Sequence, residues 1–113
     1  MSYAVWLHPA VAGDFEAIGR WLFDYAGPQT AVLKLSEIEA AVMSLAEMPH
    51  RGSVRDEIAP GLRAIPVGRK AVVAFSVDDA RREVMVYSVT YGGADWMSRS
   101  VTRQRSPHAQ DPD

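Results

Sequence analysis

After its first eight residues the chain changes its hydrophobic period once, and that change leaves few ways for it to fold. From about residue 9 to 49 apolar side chains recur at steps of three and four, whereas from Leu62 onward they alternate or form short unbroken runs. The former stretch therefore belongs to helices and the latter to strands. Val11, Phe15, Ile18, Leu22 and Tyr25 make one stripe, and Pro9 suits a first turn, so the spacing predicts a helix over about residues 9–25. Gly27-Pro28 ends it, because glycine can take a left-handed backbone and proline cannot continue the helix. A second stripe, Ala31, Leu35, Ile38, Val42 and Leu45, runs to Pro49, and the short connection makes the pair an antiparallel hairpin.

Ahead of the hairpin, Tyr3–Leu7 (YAVWL) is aromatic and β-branched, which suits a buried strand, and it stops at His8-Pro9. Between Pro49 and Gly61 the pattern is lost, as in a surface loop. Three strand runs follow, Leu62–Val67, Ala71–Val77 and Glu83–Thr90, which pair most simply as an antiparallel meander. Gly68 can supply the positive φ of a tight turn. Pro66 cannot donate to a ladder, so its strand should be an edge or be bulged near that residue, and such an edge could take an added element from a partner. Residues 97–113 (MSRSVTRQRSPHAQDPD) have little apolar periodicity and read as a flexible tail, helical for a turn or two at most. The expected architecture is α+β, an N-terminal strand and a helical hairpin packed on a small antiparallel sheet (β-α-α-β-β-β), with residues 1–96 as one domain.

Composition narrows the function classes. At 113 residues, 48% apolar and 23% charged, the chain has the content of one globular core. No run approaches the roughly 18 apolar residues of a membrane span, and the start lacks a basic segment followed by a long apolar one, so a cytoplasmic protein without a membrane partner is expected. Cysteine is absent, which removes disulfides and thiolate metal sites. Asp78-Asp79 has the look of a turn and not of a metal pair, and neither metal nor cofactor is expected. The net charge of −2 hides an asymmetry: residues 1–50 carry two bases against six acids, and residues 51–113 carry ten against eight. Those later bases could face a polyanion or an acidic partner, or form a solvated rim.

Several segments then resemble one family in order and spacing. HPAVAGDFEAIGRW is similar to the opening helix of the RelE/ParE superfamily of bacterial toxins, GPQTA to the start of its second helix, and LAEMPHRG to the exit from it. GLRAIPVGRKAVVAFSV followed by VMVYSVTYGGADW resembles the ParE pattern of a Leu-Arg strand, a basic turn, an apolar strand and a last strand ending in a Tyr-Gly motif. The resemblance covers residues 3–96 and implies a toxin of a type II toxin–antitoxin system, held inactive by a cognate, ParD-like antitoxin whose disordered segment folds over it.

Two activities follow from that resemblance. RelE-like members are ribosome-dependent messenger-RNA interferases, whereas ParE-like members inhibit DNA gyrase by protein contact. Cleavage through a 2′-hydroxyl needs a base, cations around the phosphate and an acid for the leaving oxygen. Val72 stands where the nuclease's central arginine aligns, and Tyr91-Gly92-Gly93-Ala94-Asp95 lacks the nuclease's basic cluster. His8 sits at a helix start, where its ring would cap backbone, His50 in a turn and His108 in the tail. The residues thus favour a ParE-like gyrase inhibitor with no catalytic residues and no sequence-specific DNA binding of its own. A RelE-like interferase with a degenerate or relocated site is the alternative, and a complexed protein that has lost toxicity is a third.

Target contacts are expected at Arg63, Arg69, Lys70, Tyr91 and Trp96, although Arg63 could instead pair with Asp56, Glu57 or a helix acid, the hairpin-tip charges could be plain surface, and Trp96 could cover the core. Tyr87 reads as core with its hydroxyl at the rim. Antitoxin contacts are expected among Val5, Leu22, Val32, Leu62, Ile65 and Met85, which sequence alone does not divide between groove and core.

Overall fold

Proline and glycine set the boundaries of the first half. In the computed structural model, which describes residues 2–105, β1 (Ala4–Leu7) leads through His8-Pro9 into α1 (Val11–Ala26). Buried His8 steers this turn, its Nδ1 accepting the Ala10 N–H at 3.1 Å, so the ring caps backbone as expected. Gly27 alone separates α1 from α2 (Pro28–Ser44), and Pro28 occupies the first turn, where its missing N–H costs nothing. The second helix stops short of Pro49; Leu45 to Glu47 continue as tighter turns, their N–H groups bonding three residues back.

The remaining described elements are β2 (Ser53–Val54), β3 (Arg63–Val67), β4 (Ala71–Asp78), β5 (Glu83–Tyr91) and α3 (Trp96–Arg105). The strands form one sheet in the order β1-β5-β4-β3-β2. The meander β3-β4-β5 is antiparallel as expected, while β1 lies parallel to β5, with Ala4 opposite Glu83 and Leu7 opposite Val86, so the sheet is mixed. As an edge strand β1 is less buried than its composition suggests: Trp6 and Leu7 are exposed.

One sequence expectation about the sheet is corrected. The loop between Pro49 and Gly61 contains β2, which pairs with Arg63 and Ala64. Its approach depends on Gly52, at φ +80°, where an added Cβ would lie 2.3 Å from the Ala64 carbonyl oxygen. Only glycine meets both requirements. At Pro66 the strand is the edge that the proline implies, since the residue lies beyond the stretch of β3 that β2 covers. The bulge falls between β4 and β5, where the register jumps at Ala74/Phe75 and Tyr87 is the extra residue.

Helices cover both faces. On one, Ile18 and Leu22 of α1 and Ile38 and Val42 of α2 close over Ile65, Val73, Phe75 and Val89. On the other, Leu62, Ala74 and Tyr87 are covered by Ile58, Trp96 and Val101. This second layer corrects the tail expectation: residues 96–105 are helix, with Ser100 and Arg103 buried. The rest of the tail, including His108, lies outside the described residues. Sequence periodicity misses α3 because polar contacts hold it. Ser100 Oγ bonds Ser88 Oγ at 2.7 Å, and Arg103 reaches Asp14 of α1 across the end of the sheet.

Candidate functional site

At one end of the sheet the β3–β4 turn, the exit of β5 and the start of α3 meet. Gly68 takes φ +63° and projects Arg69 and Lys70 from the hairpin tip. The Gly92 N–H donates to the Lys70 carbonyl at 3.0 Å, tying the tip to the chain leaving β5. Asp95 then caps α3, its Oδ1 accepting the Ser98 N–H at 3.1 Å, and this bond holds the carboxyl below the usual carboxylate range.

These elements enclose an open groove of about 710 Å³, with Val72 and Thr90, paired in register, at its floor and Trp21, Pro66, Trp96 and Met97 on its walls. Arg69 and Lys70 stand on its rim, exposed and with no ion pair or side-chain hydrogen bond to any described residue. A smaller cleft of about 230 Å³ lies alongside, between α1, the end of β5 and α3, and shares Trp21, Thr90, Gly92 and Ala94 with the groove. Trp21 packs on Tyr91 and Tyr25, with ring centroids 5.5 and 4.9 Å apart.

Asp14 forms the floor of the cleft and anchors α3. Buried to 5% exposure, its carboxylate accepts from both terminal nitrogens of Arg103, Nη1 at 2.6 Å and Nη2 at 3.1 Å, and from the Val89 N–H at 2.9 Å, while Nη1 also donates to the Tyr87 carbonyl at 2.9 Å. Arg99 approaches more loosely, at 3.4 Å, and is 38% exposed. Among the described residues no three His, Asp or Glu side chains cluster as metal ligands.

Of the expected target contacts, the structure brings Arg69, Lys70 and Trp96 to the groove and Tyr91 to the adjoining cleft. Arg63 is elsewhere. It starts β3, and its Nη1 donates to the His50 carbonyl at 3.2 Å and not to Asp56, Glu57 or a helix acid. Trp21 and Arg99 were not singled out from sequence; Trp21 borders the apolar stripe of α1, which is the signal that could have found it.

The expected antitoxin contacts divide sharply. Leu22, Leu62 and Ile65 are core, at 2%, 0% and 3% exposure, and offer a partner no surface. Val5 and Met85 are half-buried, and Val32 is exposed. Beside Val32, large exposed apolar side chains among the described residues include Phe23, Tyr25 and Leu33 around the hairpin, Met43 along α2, and Trp6 and Leu7 on β1. Periodicity selects inward-facing residues, and these face outward.

A polar cluster binds three segments away from the groove. Tyr3 Oη donates to Asp79 Oδ1 at 2.8 Å, and His50 Nε2 lies 2.7 Å from the same oxygen. Accepting the Tyr3 hydroxyl lowers the Asp79 carboxyl and raises the tyrosine. Tyr87, buried on β5, shares a hydrogen bond with Ser76 Oγ at 2.9 Å.

Comparison with known proteins agrees with this layout. Residues 5–96 match the model of the ParE toxin of the type II toxin–antitoxin system ParDE. No curated protein matches the chain in sequence. Among solved structures, a chain of the chromosomal ParDE system from P. aeruginosa is similar at a TM-score of 0.68 and 21% identity, over 80% of this chain and 96% of that one. A substituted E. coli RelE toxin in the free state is similar at 0.64 and 17%, over 91% and 98%. A chain of the RelBE2 toxin–antitoxin complex from Mycobacterium tuberculosis is similar at 0.58 and 14%, over 81% and 100%. No described helix is long and apolar enough to cross a membrane.

Proposed function

The chain belongs to the ParE toxin family of type II toxin–antitoxin systems, and from that premise we propose that it acts in the cytoplasm as an inhibitor of DNA gyrase, by protein contact, until a cognate ParD-like antitoxin neutralises it. The observation that carries this reading is the make-up of the groove. A site for phosphodiester cleavage gathers cations around the phosphate and sets a proton acceptor beside them. Here the floor is Val72 and Thr90, the one carboxylate on the wall is engaged in capping α3, and the free cations stand on the rim. Aromatic walls beside unpaired cations are the usual make-up of a protein contact, in which a few buried anchors carry most of the affinity. The exposed apolar side chains of the hairpin and of β1 suit a folding antitoxin segment, because it buries apolar surface as it orders.

The test is plasmid supercoiling by purified gyrase, with the wild-type chain and with Arg69→Glu/Lys70→Glu. Inhibition by the wild type, weakened in the variant, is expected. If expression without antitoxin instead cuts messenger RNA at the ribosome while supercoiling is untouched, the gyrase reading fails and the interferase takes its place.

A further inference from the structure

Granted action by protein contact, on which this inference rests, we propose that the groove and its cleft take an extended acidic segment of the target protein bearing one bulky apolar anchor side chain. The cleft is the anchor's seat. Ala17, Ile18, Trp21 and Tyr91 wall it, and its 230 Å³ holds one large side chain but falls short of the roughly 300 Å³ at which pockets for whole small ligands begin. It opens into the groove past the residues the two share, so a chain running along the groove can drop one side chain into it.

Charge specifies the rest of the segment. The side chains of Arg69 and Lys70 have no ion-pair or hydrogen-bond partner among the described residues. Arg99 lines the cleft and is only partly engaged there: it shares Asp14 at 3.4 Å with Arg103, whose Nη1 and Nη2 lie closer to that carboxylate, and it is 38% exposed. Asp95 opposes this excess in part, and its carboxylate is engaged by the Ser98 N–H. Acidic residues flanking the anchor would meet these three cations. An RNA strand carries a charge at every nucleotide and binds along a row of cations. This groove offers two at one tip, a carboxylate on its wall and a chain of net charge −2.

The full chain is titrated by fluorescence anisotropy with a labelled polyglutamate peptide carrying one internal tryptophan, with its polylysine counterpart, and with oligo-uridine. The acidic peptide alone should bind. Ala17→Trp, which fills the cleft from an exposed helix position, and Arg69→Glu/Lys70→Glu should each weaken binding at least about tenfold. Arg81→Glu, on the exposed turn at the far end of β4, should leave it unchanged. Absence of peptide binding, preference for oligo-uridine, or undiminished binding by both site variants overturns the proposal. A thermal melt tells whether Ala17→Trp is folded, and if it is not, the double variant decides. Gyrase assays run in parallel separate the two readings. Wild-type inhibition that survives in both folded site variants sinks the groove and spares the target, whereas no wild-type inhibition sinks the target and leaves the groove to the peptide data.

Discussion

Replacing Asp14 by alanine tests the account of α3 most directly. The change removes the carboxylate that accepts from Nη1 and Nη2 of Arg103 and from the Val89 N–H, all buried, and leaves Nη1 its bond to the Tyr87 carbonyl at 2.9 Å. Breaking a buried ion pair from one side costs about 3–5 kcal/mol, because the charge left behind loses its carboxylate in a medium that solvates it poorly. The stranded N–H contributes in the same direction, so about 4 kcal/mol is expected, a large part of the 5–15 kcal/mol that holds a typical domain together. At roughly 4 °C per kcal/mol for a chain of this size, Tm should fall by about 16 °C. Removing both ends of the pair should cost less than the two single changes together, since no charge is left stranded. In a cycle with Arg103→Met, urea denaturation should give a coupling of about 2 kcal/mol or more. Hydrogen exchange should find that the amides of residues 96–105 lose protection first. Single costs that add to within about 0.5 kcal/mol, or an Asp14→Ala cost below about 1 kcal/mol, would refute the idea that this carboxylate latches α3.

Three further outcomes are open to measurement. Gly52→Ala should be far more damaging than Gly68→Ala: both adopt positive φ, worth about 1–2 kcal/mol, but only at Gly52 does the new methyl meet backbone, so its melt should fall well below that of the Gly68 variant. Leu62→Ala should cost about 2–5 kcal/mol as a core truncation, whereas Val32→Asp should change stability by less than about 0.5 kcal/mol while weakening antitoxin binding in calorimetry; the reverse pattern would return Leu62 to the surface. Asp79 is lowered by the Tyr3 hydroxyl, so its contribution to stability is present above the unfolded carboxylate value of about 4 and is lost as pH falls through the folded one. Tyr3→Phe should move the Asp79 titration upward in carbon-detected NMR, and an unchanged midpoint would exclude that bond in solution.

The helices and the meander were legible because each rests on a local rule. Stripes at steps of three and four, a Gly-Pro stop and alternating runs need only neighbours in sequence to be read. What stayed hidden depends on distant partners. β2 is two residues long, and nothing in its own sequence marks it; it exists because Gly52 lets the chain approach Ala64. The helix α3 has too few apolar residues to be read from periodicity, since its burial comes from Ser88, Asp14 and the sheet face beneath it. Among the candidate contacts, the turn charges Arg69 and Lys70 stand at the groove. Apolar candidates were not divided by sequence, because an inward stripe and a docking face use the same alphabet: Leu22, Leu62 and Ile65 went to the core while Phe23 and Leu33 stayed outside.

Fold and site meet at Asp14. It projects from α1, takes the Val89 N–H of β5 and grips Arg103 of α3, so three elements that border the groove converge on one carboxylate. That grip holds α3 against α1 and β5 while the Asp95 cap sets its start, and together they place Trp96 and Arg99 around the groove and cleft. A buried charge pair is a poor source of net stability compared with an apolar core, but it is exacting about geometry, and geometry is what a contact surface on a polar helix requires. On the proposed function, a hydrophobic replacement of the pair keeps the fold and loses gyrase inhibition. Stability and inhibition measured together on the Asp14→Ala/Arg103→Met chain would distinguish a carboxylate kept for folding from one kept to aim α3.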